Sequence, residues 1–376
     1  MDADVAVVGV GSIGSLVLWE LAGRGVDVIG FERHAPGHDR GGAGGETRLF
    51  RLAYSEGAPY IPLLRRARDL WLQLGEESGR RVFEPCGGLT IGAPRQQPIL
   101  DLQANAAAED VPIEVLSAGE MADRYPQHRL LDGEIGVFDA GAGMLRCDLA
   151  VLAAAQAAQA RGARIVPYSS VESITPARDA VHIETADRTW RVRQVVIAAG
   201  AWSTQFLPER WASRVEPRRV AVGWYAPRDV AQYRPGAYPV VIRVTHDLFL
   251  YGTPTVDDAT VKVGGTSQGL AIPDPNSFDR RHSREEIQVA RDVVAELFTS
   301  LHPEPLRVDA FTDLYTPDQH PVLGHVGDDR RLVVATGGSG RGFKLAPAIA
   351  AAAADAVVDG TEAPITFMSP ARRVSA

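Results

Sequence analysis

The sequence predicts an α/β (α+β) fold, in which a Rossmann-like domain is interleaved with a second domain built on a mixed antiparallel sheet. Two observations carry this prediction. The chain opens with a strand, a glycine-rich turn, a helix and a second strand, and further strand–helix pairs return only from Ala150 onward. A repeated βα pattern builds a parallel sheet covered by helices, so the intervening segments are expected to form the second domain.

Length and composition allow two domains in an ordinary globular protein. The chain has 376 residues, of which 45% are hydrophobic and 23% charged. The formal net charge is −8, and the basic residues are scattered without a stripe that would contact phosphates. The composition therefore argues against a nucleic-acid-binding protein.

Cysteine usage and the apolar runs favour a cytoplasmic protein. The two cysteines, Cys86 and Cys147, do not have metal-site spacing, and so few thiols are typical of a reducing compartment. The apolar run from Val5 has no basic flank, and the run from Leu345 is too short for a bilayer and contains Asp355. We expect a soluble cytoplasmic protein, a monomer or weak homo-oligomer, with no metal, membrane or nucleic-acid partner.

The first βαβ unit opens the chain. Val5–Val8 is short, apolar and β-branched, which is typical of a buried parallel strand. Ile13–Arg24 has helical periodicity and is followed by Gly25, a residue favoured just past a helix end. Val26–Glu32 predicts a second strand that ends in a carboxylate.

Three glycines between the first strand and the helix have G-x-G-x-x-G spacing. Gly9 permits a tight turn, Gly11 lets the backbone approach a pyrophosphate, and Gly14 lets helix and strand pack closely. The helix N-terminus offers N–H groups to the phosphates, and Glu32 is positioned to accept the ribose hydroxyls. Because the strand, the helix, the second strand and the acidic residue follow one another in the expected order and spacing, the sequence predicts a dinucleotide site rather than a plain glycine-rich turn.

The dinucleotide is predicted to be FAD rather than NAD. After Arg33 the βα pattern breaks into a glycine-rich, basic segment, and it resumes in Ala150–Ile174, Arg191–Thr204 and Arg331–Val358. NAD domains usually continue as uninterrupted βα repeats. The isoalloxazine ring of FAD needs additional walls, and a late glycine-rich loop that opens a helix can face its N1–C2=O edge.

Six stretches of the chain resemble the monomeric sarcosine oxidase family of FAD-dependent amine oxidases, which includes N-methyltryptophan and pipecolate oxidases and is related to glycine and D-amino-acid oxidases. They are the first glycine motif, GGETRLFRLAYSEGAPYIPLLRRARDLW, IAAGAWS, LYGTPTVDDATVKVG, LYTPDQHPVLG and GGSGRGFKLAP. The resemblance implies an FAD-binding Rossmann-like domain of the GR2 type. We expect this domain to comprise residues 1–82, 142–212 and 317–376, and the substrate domain to comprise 83–141 and 213–316.

The resemblance implies how the substrate is held. Arg51 and Lys344 correspond to the pair that clamps the substrate carboxylate, and Tyr251 and Tyr315 correspond to pocket walls. Ordinary alternatives stay open, with Arg51 and Lys344 as surface residues and Tyr251 as a core tyrosine. If the clamp is present, the substrate is a carboxylate-bearing amine.

Two further basic residues correspond to groups beside the flavin. Arg48 corresponds to a residue close to the ring, with an ion pair to Glu46 as the alternative. Lys262 corresponds to the lysine that promotes the reaction with oxygen, since a cation stabilises the developing superoxide charge. The alternative for Lys262 is a strand lysine that faces solvent. The implied catalytic residues are Lys262, Arg48 and Tyr315.

The same stretches imply the contacts to the cofactor. These are Gly9, Gly11, Ser12, Ile13, Gly14, Glu32, Arg33, Thr47, Arg48, Val171, Ala199, Gly200, Trp202, Asp313, Gly338, Ser339, Gly340, Arg341, Gly342, Phe343 and Lys344.

The implied reaction transfers a hydride equivalent from a substrate C–H bond to flavin N5, which yields an imine, and O2 then takes the electrons to give hydrogen peroxide. Three alternatives stay open. They are a dehydrogenase that uses another electron acceptor, an FAD-bearing subunit of a larger oxidase complex, and a flavin monooxygenase reduced by NADPH.

Three positions depart from the family pattern. Gly44 and Thr266, both expected in the substrate pocket, stand where the family has histidines, and Asp313 stands where a cysteine forms a thioether to the flavin. Loss of both histidines is expected to enlarge and neutralise the pocket, so the predicted substrate is not sarcosine itself and the reaction could be a biosynthetic step. Loss of the cysteine predicts FAD bound without a covalent bond, with an aspartyl ester as the alternative.

Overall fold

The structure is a computed structural model that describes residues 1–245, 248–265, 269–327, 329–360 and 365–374. Within these residues the strands are β1 (Ala3–Val8), β2 (Val28–Phe31), β3 (Thr47–Phe50), β4 (Phe83–Glu84), β5 (Gly88–Gly92), β6 (Glu114–Leu116), β7 (Ile135–Asp139), β8 (Gly143–Arg146), β9 (Arg164–Val166), β10 (Val171–Pro176), β11 (Val181–Thr185), β12 (Thr189–Ile197), β13 (Glu216–Pro227), β14 (Val240–Val244), β15 (Phe249–Thr253), β16 (Val261–Gly264), β17 (Leu270–Ala271), β18 (Leu301–Tyr315), β19 (Val322–His325) and β20 (Leu332–Thr336). The helices are α1 (Gly14–Gly23), α2 (Ile61–Ser78), α3 (Gln97–Ala108), α4 (Ala118–Arg124), α5 (Cys147–Ala160), α6 (Glu209–Ala212), α7 (Arg284–Leu297) and α8 (Gly342–Asp359).

The first sheet is built around the predicted βαβ unit. β1 runs parallel to β2 on one side and to β12 on the other, within the order β10-β11-β12-β1-β2-β9. β20 extends the sheet in parallel beside β12, and β19 pairs antiparallel with β20. The carboxyl ends of β1, β12 and β20 therefore lie together at one edge, where open α/β sheets bind their ligands.

Helices α1, α5 and α8 cover one face of this sheet. α1 packs against both α5 and α8, and α2 lies against α8. α8 is buried around almost its whole circumference, and its alanine run lets it approach its neighbours closely. None of the helices in the described ranges is long and apolar enough to cross a membrane.

The second sheet has nine strands and is mostly antiparallel. Its order is β17-β13-β16-β15-β14-β5-β7-β6, with β18 on β13, and the pair of β14 and β5 is parallel. β18 pairs antiparallel with β13, and the pairing extends from Glu216 opposite Tyr315 to Pro227 opposite Leu301. This long ribbon carries the polar stretch around Asp313 toward the first sheet.

The predicted fold class is confirmed. The chain leaves the first sheet after β2, contributes β5–β7 to the second sheet, returns for β9–β12, leaves again for β13–β18 and ends in β19, β20 and α8. The predicted helix Ile13–Arg24 is observed as Gly14–Gly23, and Gly25 has φ +75°. The predicted domain boundaries remain a prediction.

Candidate active site

The first glycine motif has the geometry that its three predicted roles require. Gly9 has φ +91°, and a Cβ there would lie 2.8 Å from Ala198 O. A Cβ on Gly14 would lie 1.8 Å from Gly9 O, so α1 and the turn after β1 are in direct contact. A Cβ on Gly11 would meet no atom within 4 Å, and Gly11 lines a large cavity. The open space thus lies at the glycine predicted to approach a pyrophosphate.

Glu32 is held beside this turn as an ionised acceptor. Val10 N donates to its Oε2 at 2.8 Å, His34 N donates to Oε1 at 2.9 Å, and His38 Nε2 lies 3.3 Å from Oε1. Burial alone would raise the pKa of Glu32, but the His38 contact and the two backbone donors bring that pKa below its usual value. Glu32 lines the cavity, where a carboxylate can accept ribose hydroxyls.

The cavity, of about 960 Å³, connects the glycine motif with the second sheet. The predicted cofactor contacts on its wall are Gly9, Gly11, Ser12, Ile13, Glu32, Arg33, Arg48, Val171, Ala199, Gly200, Trp202, Asp313, Gly338, Ser339, Gly340, Arg341, Gly342, Phe343 and Lys344. The predicted residues Arg51, Tyr251 and Tyr315 line it as well. The predicted site residues away from its wall are Gly14, Gly44, Thr47 and Lys262, and Thr266 lies outside the described residues.

The two residues of the predicted carboxylate clamp are far apart in the sequence, at positions 51 and 344. Arg51 follows β3, and the turn after it is fixed by Asp139 Oδ2, which accepts from two backbone N–H groups at 2.8 Å each. Lys344 lies in the first turn of α8, where Trp71 Nε1 donates to Lys344 O at 3.2 Å. Arg51 Cζ and Lys344 Nζ each lie 5.2 Å from the centroid of the Tyr54 ring. The two cations therefore face the same part of the cavity.

Glu56 neutralises this clamp. Its Oε1 lies 3.2 Å from Arg51 Nη2 and 3.9 Å from Arg341 Nε. Burial would raise the pKa of Glu56, but Arg51, Lys344 and Arg341 together lower it. Burial lowers the pKa of Lys344 to about 7, with Glu56 opposing and Arg51 reinforcing the shift. The guanidinium thus already holds a carboxylate, the group that the clamp is predicted to bind.

Two tyrosines of the second sheet, on β15 and at the end of β18, form part of the cavity wall. Burial raises the pKa of Tyr315 to about 12, and Arg218 Cζ lies 4.6 Å from its ring centroid. Burial also raises the pKa of Tyr251, and a Cβ on Gly264 would lie 2.5 Å from Tyr251 Oη, so the phenol lies against this glycine. Tyr251 is half-buried and faces the cavity, which disagrees with a core tyrosine. Both phenols stay protonated at neutral pH and can donate hydrogen bonds.

Arg48 reaches the cavity with its side chain held by backbone carbonyls. Its guanidinium donates to Thr47 O and Gly42 O at 2.8 Å each. Glu46 instead pairs with Arg307 at 2.5 Å. The alternative ion pair between Arg48 and Glu46 is therefore not formed.

Lys262 is buried behind the segment that carries Arg48. Its Nζ donates to Gly45 O at 2.9 Å and to Thr47 O. Burial lowers the pKa of Lys262 to about 7, and the nearby Arg48 reinforces the shift. Lys262 is thus neither a solvent-facing strand lysine nor a residue of the cavity wall.

The expectation that Gly44 opens the substrate pocket is wrong. A Cβ on Gly44 would lie 2.2 Å from Phe311 Cδ1, and a Cβ on Gly45 would lie 2.9 Å from Phe311 Cε2. The Phe311 ring therefore lies across both glycines and itself lines the cavity. The space that a glycine leaves at position 44 is filled from β18.

Asp313 ties the end of β18 to the late glycine-rich loop. Its Oδ2 accepts from Gly340 N at 2.6 Å, and its Oδ1 accepts from Leu314 N at 2.8 Å. Ser339 Oγ accepts from Thr316 N at 3.0 Å. Burial raises the pKa of Asp313, and the two backbone donors oppose this shift. Asp313 thus positions the loop that forms one wall of the cavity.

The residues of the cavity wall that were not predicted from the sequence include Glu56, Arg218 and Phe311. Glu56 lies five positions after Arg51, and an acid so close to a predicted clamp was a usable signal. Arg218 and Phe311 lie on the paired strands β13 and β18. Strand register decides which face they occupy, and the local sequence does not reveal that register.

The residues present fit an extended flavin dinucleotide. Open space at Gly11 lies before the N-terminus of α1, Glu32 is an ionised acceptor, and the same cavity continues to the Gly338–Gly342 loop that opens α8. The basic side chains of Arg48, Arg51 and Lys344 line the end of the cavity that meets the second sheet. The fold and this site define a flavin-binding oxidoreductase.

Comparison with known proteins agrees that the chain is a flavin-binding oxidoreductase. The model of the DAO family, described as FAD dependent oxidoreductase, matches residues 4–356. The chain is 32% identical over 379 residues to the monomeric sarcosine oxidase of Streptomyces avermitilis, covering 99% of this chain and 98% of that protein. It is 30% identical over 361 residues to the N-methyl-L-tryptophan oxidase of Yersinia pestis, covering 94% of each. The chain belongs to the FAD dependent oxidoreductase (DAO) family, which confirms the predicted family, enzyme class and cofactor.

Solved structures show the same fold. NikD, described as an unusual amino acid oxidase essential for nikkomycin biosynthesis, superposes with a TM-score of 0.86 at 23% identity, covering 100% of this chain and 99% of that chain. Glycine oxidase from Geobacillus kaustophilus superposes with a TM-score of 0.81 at 23% identity, covering 99% of each. At these identities the likeness concerns the fold alone.

Proposed function

We propose that this protein oxidises a carboxylate-bearing amine, an α-amino or imino acid, to the corresponding imine, with O2 as the final electron acceptor and hydrogen peroxide as the product. One observation carries the proposal: Arg51 and Lys344 face the same cavity as the first glycine motif. A guanidinium fork and an ammonium together make a receptor for a carboxylate. The named relatives are oxidases of sarcosine and of N-methyl-L-tryptophan, which are substrates of this kind.

The chain's own residues bind and orient the reactants. Gly11, Glu32 and the loop around Ser339 would hold FAD, which supplies a two-electron acceptor when bound. Arg51 and Lys344 would fix the carboxylate, and Glu56 would leave the clamp when a substrate enters. Positioning a C–H bond at short range supplies a large part of the rate in such reactions.

Lys262 favours oxygen as the acceptor. When protonated, Lys262 behind Arg48 would contribute a positive field that stabilises charge developing on oxygen. A dehydrogenase with another acceptor and an FAD-bearing subunit of a larger complex are the competing functions. Hydrogen peroxide formed per substrate consumed, with and without an artificial acceptor, separates them, and a yield near one in air supports the oxidase.

The direct test is an anaerobic screen of amino and imino acids for bleaching of the flavin absorbance. Bleaching by at least one carboxylate-bearing amine supports the proposal. Bleaching by NADPH, with none by any amine, would favour a monooxygenase instead.

We further propose that FAD is bound without a covalent bond. Asp313 is engaged by Gly340 N and Leu314 N rather than free to react. Acid precipitation of the holoenzyme tests this directly. A yellow supernatant is expected, and a yellow pellet would establish a covalent link such as an aspartyl ester.

A further inference from the structure

Beyond the clamp, the wall of the cavity is one face of the second sheet. Ile242 pairs with Thr90 on one side and with Tyr251 on the other, and all three residues line the cavity. Alternate residues of a strand point to the same face. Val244 and Phe249, which pair with each other two positions further along, line the cavity as well.

The clamp lies at one end of these strands. A Cβ on Gly88 would lie 3.9 Å from Arg51 Cγ, and Gly88 pairs with Val240, two residues before Ile242. A strand rises about 3.3 Å per residue, so the distance along β14 from Val240, level with Gly88, to Val244 at the cavity wall is about 13 Å. This length accommodates a substituent that extends well beyond the α-carbon of a clamped substrate.

The wall along this length is formed mainly by apolar side chains, with two threonines. We call it the apolar trough and define it by its cavity-lining residues Thr90, Pro98, Ile242, Val244, Thr245, Leu248 and Phe249. None of these described residues is charged. Arg243 lies between Ile242 and Val244 but points to the opposite face, where it pairs with the buried Glu134. Strand alternation therefore keeps this guanidinium out of the trough.

We infer that the substrate carries a large apolar substituent, aliphatic or aromatic, which lies in the apolar trough while its carboxylate is held by Arg51. This inference rests on the proposed function and names the substrate class of the same site. Burying apolar surface stabilises binding in proportion to its area. A charged substituent would lose its hydration without an opposite charge among the residues that define the trough.

The test is anaerobic stopped-flow reduction of the holoenzyme by N-methyl derivatives of glycine, L-alanine, L-leucine, L-phenylalanine, L-glutamate and L-lysine, with the unmethylated series in parallel. The second-order rate constant of flavin reduction is expected to be at least about tenfold higher for the leucine or phenylalanine derivative than for the glycine, glutamate and lysine derivatives. A glycine or charged derivative that reacts as fast would overturn the inference and leave the proposed function intact. If no amine reduces the flavin, the proposed function fails and the inference falls with it.

Substitutions in the trough give an independent check. Val244→Asp places a carboxylate on a half-buried position, and Phe249→Ser removes a ring that is 49% exposed, so neither change empties the core. The ratio of the rate constants for the phenylalanine and glycine derivatives is expected to fall at least about tenfold in Val244→Asp and to fall in Phe249→Ser. Val115→Asp, at a 50% exposed position on β6, is the matched control and should keep the wild-type ratio. An unchanged ratio in both trough variants would overturn the inference, with flavin content and Tm reporting that each variant folds.

Discussion

Arg51 and Lys344 are buried cations that share one carboxylate. Glu56 lies 3.2 Å from Arg51 Nη2, and its charge opposes the loss of the Lys344 proton. A buried charge without a partner is costly, and in the structure Glu56 supplies the carboxylate that neutralises these two side chains. On the proposed function, substrate binding would exchange the carboxylate of Glu56 for that of the substrate, and its strength would depend on both basic side chains.

Arg51→Ala is expected to weaken the binding of a carboxylate substrate by about 2–3 kcal/mol, because one charged hydrogen-bonding partner is lost. The Kd from anaerobic flavin reduction measures this change. Arg65→Ala, on the exposed surface of α2, is the control and should leave the Kd unchanged. Equal affinities of wild type and Arg51→Ala would remove the clamp from the mechanism.

The pH dependence of carboxylate binding is expected to follow Lys344. Because its pKa is lowered to about 7, the ammonium is present below that pH and is lost above it. The Kd of benzoate, a carboxylate with no amine, should therefore rise above neutrality by at most about tenfold per pH unit. Flavin absorbance titrations measure it. A rise of the same size in Lys344→Met would assign the dependence to another group.

The first glycine motif shows how one short element combines folding with binding. Gly9 and Gly14 are in contact, with 1.8 Å between a Cβ built on Gly14 and Gly9 O, whereas Gly11 faces open space. Two of the three glycines are thus needed for the turn and the helix packing, and the third is needed for the ligand. The G-x-G-x-x-G spacing by itself does not distinguish the glycines that serve packing from the one that serves the ligand.

Substitutions at these positions are expected to separate the two roles. Gly11→Ala should fold normally and bind FAD more weakly by about 1–3 kcal/mol, because the added methyl group takes up space near the pyrophosphate. Gly14→Ala should lower the free energy of unfolding of the apoprotein by at least about 3 kcal/mol, since its Cβ meets backbone. FAD titration and urea unfolding measure the two quantities. Normal stability of Gly14→Ala would contradict the packing role.

The two sheets are also joined across the nucleotide end of the cavity. Asn276, in the connection between β17 and α7, accepts from Trp202 Nε1 at 2.7 Å and also from Arg33 Nη1. Arg280 in the same connection pairs with Asp39 at 2.9 Å. A connection that leaves the second sheet after β17 is thus attached to the loops that line the cofactor cavity.

Asn276→Ala is expected to accelerate FAD dissociation by about 5–30-fold, as for the loss of one or two hydrogen bonds. Flavin fluorescence after dilution into an FAD-binding competitor measures the rate. Ser277→Ala, which removes a hydroxyl that donates to Asp274 within the same turn, is the control. Equal dissociation rates for the wild type and Asn276→Ala would show that this connection does not retain the cofactor.

Much of the site was predictable because its chemistry is local. The glycine spacing, Glu32 and the late loop at Gly338–Gly342 each belong to a strand–turn–helix unit that is complete within about thirty residues. Gly44 was misjudged because its neighbour in space, Phe311, is far away in the sequence. Lys262 and Arg48 were predicted together, but only the structure separates the buried residue from the one on the cavity wall.

The sequence by itself determined the fold class and the dinucleotide motif, since hydrophobic periodicity and glycine spacing are properties of neighbouring residues. The predicted clamp residues came instead from the resemblance to the sarcosine oxidase family. Only the tertiary structure decided that Glu56 occupies the clamp, that Phe311 fills the space at Gly44 and that Asp313 holds Gly340. It also decided that an apolar strand face extends from Arg51. These contacts depend on strand register and on the meeting of two sheets, and no local pattern encodes either.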